Sequence, residues 1–263
     1  MKNIPIFDAT QFSGKPAAAQ MFAKYRFQAA LVPSAAITCT PTVNGVRWPD
    51  AGAIQQVASQ AKTTGSILIL DMEDANSPDQ LRMAIEMVRT FAPAVKLGAY
   101  GVGPALGPAA LQAAQYTYKL ASWWRLQQPY AEIVDRLDMV CPSLYSTGDA
   151  DADARVAAVA LTFAASRWPR KFILPFLSNR VAGNAGAAMV SHDCTWNLLQ
   201  VCSDCADGAV LWTNPGEIWS PSDDLIVCSE IFAGDQGVTL TAGLREFLGV
   251  GMSLFSGSAA AGS

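Results

Sequence analysis

The sequence predicts an α/β fold: a TIM-like (β/α) barrel of seven or eight parallel strands in a single domain. Three observations predict it. Strand-like apolar runs alternate with helix-like segments along the whole chain. The strand-like runs are continuously apolar, as in parallel strands covered on both faces. The 263 residues suit one such barrel, for which about 250 is usual.

The elements follow in order. Ile4 to Phe7 opens as a strand, and Ala17 to Tyr25 reads as a helix. Ala29 to Pro33 is the second strand, followed by a helix over Ala51 to Lys62. Ser66 to Asp71 is the third strand. The next helix, Pro78 to Phe91, follows the start signal Asn76-Ser77-Pro78. Val95 to Tyr100 is a strand, Ala109 to Leu126 a long helix, and Asp138 to Tyr145 the fifth strand. Ala152 to Trp168, Lys171 to Leu177, Ala187 to Cys205 and Gly208 to Trp212 continue the alternation, and Leu240 to Leu248 reads as a final helix. Residues 1–250 are expected to form the barrel. Residues 251–263 are small and polar and read as a flexible C-terminal tail.

Composition excludes several functions. Half the residues are apolar and 15% are charged, which supports a large core. The net charge is −4, and no Lys/Arg run offers the clustered cations that phosphate backbones require, so no nucleic acid is expected. No stretch approaches the roughly 18 apolar residues of a membrane span, and the N-terminus shows no signal-peptide pattern. No Gly-x-Gly-x-x-Gly follows the first strand, which argues against a dinucleotide cofactor. The six cysteines are irregularly spaced. His192, Cys194, Cys202 and Cys205 include a zinc-type spacing, but the favoured reading places Cys202 and Cys205 in a helix with one sulfur buried. No cofactor or metal is expected. With one histidine and no Gly-x-Ser-x-Gly elbow, no nucleophile triad emerges.

In such barrels chemistry sits at the carboxyl ends of the strands. The third strand ends Leu70-Asp71-Met72-Glu73. Residues two apart on a strand point the same way, so Asp71 and Glu73 are both expected at the barrel mouth. Two adjacent carboxylates resist joint ionisation, and a carboxyl kept protonated can protonate a leaving-group oxygen. Asp74 reads as a capping residue. Tyr100, Tyr145 and Trp212 end later strands, and Asn214 follows Trp212. Aromatic rings at a barrel mouth wall a pocket against which sugar rings stack. His192 reads as a surface or capping residue.

These segments resemble the hyaluronidase family of glycoside hydrolases. Leu68-Ile69-Leu70-Asp71-Met72-Glu73 is similar to that family's Asp-x-Glu strand. Leu97-Gly98-Ala99-Tyr100-Gly101 resembles its Trp-Gly-x-Tyr strand, and Asp138 to Tyr145 its Pro-Ser-x-Tyr strand. Phe172-Ile173-Leu174-Pro175-Phe176 looks like the next strand, and Asp207 to Trp212 like its Gly-x-x-x-Trp strand. The resemblance runs in order from about residue 66 to residue 225.

The resemblance implies cleavage of an N-acetylhexosamine-containing polysaccharide by a retaining, substrate-assisted mechanism, an exception to the usual two-carboxylate scheme. It implies that Glu73 is the general acid and then the base, and that Asp71 orients the acetamido group. Tyr100, Tyr145, Trp212 and Asn214 would bind substrate. The sequence departs from the family in having Met72 where Trp is usual, Asp74-Ala75-Asn76 after the acids, no family disulfide pattern and a shorter chain. The expected polymer is therefore a capsule, glycosaminoglycan-like or cell-wall glycan. Synthesis in a cytoplasm with non-standard export, or a place in a phage virion or lysis system, would suit such a substrate. The alternatives are a muramidase-like peptidoglycan hydrolase and a catalytically silent carbohydrate-binding barrel. A metal-dependent lyase with Asp71 and Glu73 as hard-metal ligands is less favoured, given one histidine.

Overall fold

A computed structural model describes residues 3–14, 27–39, 47–72, 78–102, 131–181 and 188–233. The strands are β1 (Ile6–Ala9), β2 (Phe27–Pro33), β3 (Ile67–Asp71), β4 (Leu97–Ala99), β5 (Met139–Val140), β6 (Phe172–Ile173), β7 (Phe176–Ser178) and β8 (Ala209–Trp212). The helices are α1 (Ser34–Ile37), α2 (Ala51–Thr64), α3 (Pro78–Phe91), α4 (Ala150–Arg167), α5 (His192–Cys205) and α6 (Asp224–Ala233). The expected helices at 17–25, 109–126 and 240–248, and the tail at 251–263, lie outside the described residues.

Local chemistry sets the helix ends. Asp50 caps α2, its side chain accepting from the Ala53 N–H at 2.7 Å, and Gly65 closes the helix at φ 66°. Pro78 opens α3, where a missing N–H costs nothing. Leu81, Ala84, Ile85 and Val88 form the buried stripe of α3. In its last turn Arg89 donates to the Val95 carbonyl at 2.9 Å and to Asp138 Oδ2 at 2.8 Å, tying the helix to the strands that follow. Asp149 caps α4 in the same way as Asp50 caps α2. The predicted helix from Ala187 starts later, at His192, because Ser191 accepts from the Cys194 N–H and caps it there. Ser191 itself is extended, and Arg180 bridges Met189. Among the described residues no helix is long and apolar enough to cross a membrane.

All observed strand pairings within the sheets are parallel. Six strands run in the order β4-β3-β2-β1-β8-β7, and β5 pairs with β6. Single bridges, Tyr100 with Cys141 and Ser143 with Phe176, join the two groups. The expectation of parallel α/β order is met, but the ladder does not close into a full barrel among the described residues. Two prolines account for the interruption. Pro142 and Pro175 have no N–H to donate, so the predicted run 171–177 splits into β6 and β7. Hydrogen bonds continue past them, from Leu174 N to Val140 O at 2.9 Å and from Phe176 N to Pro142 O at 2.8 Å.

The two faces of each strand enter two separate cores. Ile67 and Ile69 join Phe7, Met139, Cys141, Leu174, Phe176 and Val210 in one cluster inside the sheet's curve. Leu68 and Leu70 join Ile54, Leu81 and Ile85 in another, beneath the helices. Double-sided burial is why the strands lack polar alternation. The inner cluster is tight. A Cβ on Gly208 would stand 2.7 Å from the Pro5 carbonyl oxygen, and one on Gly98 would stand 2.6 Å from Met139 Cγ. The Gly98 Cβ would also stand 2.8 Å from Cys141 Sγ, and Met139 and Cys141 are both fully buried. Gly208→Ala and Gly98→Ala are therefore each expected to destabilise by about 1–3 kcal/mol in urea unfolding.

Candidate active site

Asp71 ends β3 with the same parity as Ile67 and Ile69, so its side chain leaves the strand on the inner face. It is partly buried where the residues below it are fully buried. The parallel register pairs Leu70 with Ala99, and Tyr100 N donates to Leu70 O at 2.9 Å. One step further along this register sets Asp71 beside Tyr100. Glu73, the second predicted acid, and Asp74 lie outside the described residues.

The predicted aromatic residues come together. Tyr145 stacks on Trp212, with ring centroids 5.8 Å apart and planes at 20°. Tyr145 also meets Tyr100 at 6.1 Å, and Tyr100 sits edge-on to Phe176 at 4.9 Å. The result is a continuous wall across the ends of β4, β5 and β8. Tyr100 is buried and its hydroxyl donates to Ser143 Oγ at 3.2 Å. Tyr145 and Trp212 are partly exposed. A buried carboxylate stands behind Tyr145. Asp153, on α4, accepts from Ser146 Oγ at 2.6 Å, from Thr147 N at 2.9 Å and from Thr147 Oγ1 at 2.6 Å. These bonds fix the chain just after Tyr145. Asp8, by contrast, leaves β1 on the outer parity and bonds the backbone and hydroxyl of Thr10.

Asn214 is exposed, and its amide donates to Glu217 Oε1 at 3.1 Å. Sequence reasoning missed the network it joins. Glu217 Oε1 also receives Arg180 Nε at 3.2 Å, and Oε2 receives Asn179 Nδ2 at 2.8 Å. The same Asn179 amide donates to Asp223 Oδ2 at 3.0 Å, while Asp223 Oδ1 accepts from the Leu225 N–H at the start of α6. The network fastens the loops after β7 and β8 to α6. Asn179 and Arg180 directly follow a strand end, the same signal that selected Tyr100.

Partial burial pushes the Glu217 carboxyl up, but hydrogen bonds from Asn179, Arg180 and Asn214 and the Arg180 charge outweigh it. The carboxyl is held below its usual range. A depressed folded value means that this stabilisation is present above the unfolded value and is lost as pH falls through the folded one. Urea stability is thus expected to decline from about pH 5 downward, and to decline less steeply in Glu217→Gln.

Three of the thiols are poorly suited to act as nucleophiles. Burial pushes the Cys141 and Cys202 thiols far up, and Cys228 up to about 11. As the favoured reading had it, Cys202 and Cys205 share a helix and the Cys202 sulfur is buried. The zinc-type set is not assembled. His192 faces α6, with Nδ1 3.3 Å from Asp224 Oδ1 and 3.5 Å from Cys228 Sγ. Among the described residues no group of three or more His, Cys, Asp or Glu side chains is placed to hold a metal ion.

No protein-family model matches the chain, and no curated protein sequence does. Solved structures match its fold. Bee venom hyaluronidase in complex with a hyaluronic acid tetramer aligns with TM-score 0.55 at 10% identity, over 80% of this chain and 90% of that one. An endo-β-1,4-mannanase double mutant from Cellulomonas fimi aligns with TM-score 0.57 at 11% identity, over 92% and 73%. A GH128 endo-β-1,3-glucanase from Amycolatopsis mediterranei, solved with laminaritriose and laminaribiose, aligns with TM-score 0.53 at 16% identity, over 87% and 97%. The chain shares the fold of these enzymes. At such identities the likeness is one of architecture, and the chemistry must be argued from the site.

Proposed function

We propose that the protein is a glycoside hydrolase that cleaves an N-acetylhexosamine-containing polysaccharide with retention, using the substrate's own acetamido group. The observation that carries this reading is Asp71 on the inner face at the end of β3, beside a wall of Tyr100, Tyr145 and Trp212. The fold likeness to three polysaccharide hydrolases supports the reading.

The acetamido carbonyl oxygen attacks the anomeric carbon, and the glycosidic bond breaks as Glu73 gives its proton to the leaving oxygen. The attacking group becomes a cationic oxazolinium ring. Asp71 orients the acetamido N–H and balances the developing positive charge. Glu73, now a carboxylate, takes a proton from water, whose oxygen opens the ring at the same anomeric carbon. The acetamido group is restored and the configuration is that of the bond cut. Tyr100 and Tyr145 bond around the acetamido group, Trp212 walls the sugar, and Asn214 binds a neighbouring unit. Internal attack replaces a bimolecular step, so the 2-acetamido group is worth at least about 10³-fold in rate. The test compares cleavage of a 2-acetamido polymer with its 2-hydroxyl counterpart and reads the anomer first released.

A further inference from the structure

A cleft of ≈ 750 Å³ opens between the loops that follow β7 and β8. Its volume falls within the roughly 300–1,000 Å³ of small-molecule sites. Both loops leave the carboxyl ends of their strands, the end of the sheet that carries Asp71. Glu217 lies in it five residues beyond Trp212, bonded to Asn214.

Its walls mix two chemistries. Ile218 and Met189 present 83% and 47% of their surfaces to solvent, the two highest values among the exposed large apolar side chains of the described residues. Neither sits on a slack loop. Ser13 N donates to Glu217 O, and Trp219 N donates to Ser13 O at 3.0 Å, holding the backbone on both sides of Ile218. Val190 N donates to Asn179 O at 2.9 Å and Val181 N to Ala188 O at 3.0 Å, holding the strand of chain that carries Met189. The charged lining is Arg180, Glu217, Asp223 and Asp224, with Ser220 and Ser222 beside them. Three acidic residues thus line the cleft with one arginine; Arg180 is engaged by Glu217, Asp223 is buried and bonded to Asn179 and the Leu225 N–H, and Asp224 lies 3.3 Å from His192 Nδ1.

We propose that this cleft is a saccharide subsite, distal to the Tyr145–Trp212 wall, for an uncharged hexose or N-acetylhexosamine unit, and that it discriminates against chains bearing uronate groups. The proposal rests on the glycosidase reading above. The exposed faces of Ile218 and Met189 suit the C–H face of a pyranose, and the fixed backbone spares the cost of ordering them on binding. Hydroxyl groups can donate to the carboxylates and accept from Arg180. A uronate carboxylate would instead meet an excess of like charge in a partly desolvated cleft, where screening is weak. Glu217, whose bonds hold it ionised, keeps that charge in place near neutral pH.

The test uses the full chain carrying Glu73→Gln, so that ligands survive titration calorimetry at low ionic strength. The probes are the trimer and hexamer of β-1,4-linked N-acetylglucosamine and the hyaluronan hexamer. The neutral hexamer is expected to bind about ten-fold tighter than its trimer and about ten-fold tighter than the hyaluronan hexamer. Adding Ile218→Asp is expected to remove the gain from trimer to hexamer, with the melting temperature as the check on folding. Equal affinity for the two hexamers, or a gain that survives Ile218→Asp in a folded protein, would overturn the inference. Cleavage of the neutral polymer by the wild-type chain with no gain on lengthening removes the subsite alone. Binding with the predicted gain, but no cleavage of any polysaccharide, removes the glycosidase and leaves the subsite. Binding of none of the probes overturns both.

Discussion

Glu73→Gln is expected to lower kcat by about 10³-fold with KM changed by no more than about three-fold. The amide matches the carboxylic acid in shape and keeps a hydrogen-bond acceptor, so substrate binding is largely preserved. It has no acidic proton for the leaving oxygen and cannot take one from water in the second step. Both halves of the reaction therefore fail together. The effect should appear in kcat because proton transfer is made only in the transition state. Initial rates of reducing-end release check this, with thermal unfolding as the control. Undiminished turnover in the variant, on a polymer the wild-type chain cleaves, would sink the assignment of Glu73.

The second large effect is expected at Asp71. Asp71→Asn keeps the shape at the end of β3 but removes the charge that balances the oxazolinium. Removing one such preorganised electrostatic partner costs about 10²–10³-fold in kcat. Asp71 is only partly buried and ends its strand, so stability should change little. The informative contrast is with Tyr145→Ala, which opens the wall against Trp212 and should raise KM more than it lowers kcat. If Asp71→Asn instead raises KM and leaves kcat intact, the carboxylate binds substrate without taking part in the chemistry.

Much of this architecture is legible from residue order alone. The run Ser66 to Asp71 could be read as a strand because both faces are buried, and β3 occupies 67–71. The helix Pro78 to Phe91 matches α3 end for end, since Pro at the start and a stripe at 81, 84, 85 and 88 are local signals. Tyr100, Tyr145 and Trp212 could be placed at one mouth because parallel strands bring their carboxyl ends together. Three features were harder to read. The split at Pro175 needs the knowledge that Pro142 stands opposite it, which is a matter of register. Helix α6 was missed because 224–233 is apolar on most sides, with Leu225, Ile226, Cys228, Phe232 and Ala233 all buried, and shows no stripe. Its start signal, Asp223 after Ser220-Pro221-Ser222, was present. The Asn179–Arg180–Glu217–Asp223 network joins residues some forty apart in loops without periodicity. Only the position of Asn179 and Arg180 just past a strand end hinted at it.

The most direct measurement is time-resolved proton NMR of the wild-type chain acting on a 2-acetamido polysaccharide and on its 2-hydroxyl counterpart. New reducing ends are expected from the first polymer and at least about 10³-fold more slowly from the second. The first anomeric signal is expected in the configuration of the bond that was cut, with the other anomer growing only as the sugar mutarotates. Appearance of the opposite anomer first, equal cleavage of both polymers, or no new reducing end from any N-acetylhexosamine polymer would contradict the proposed mechanism.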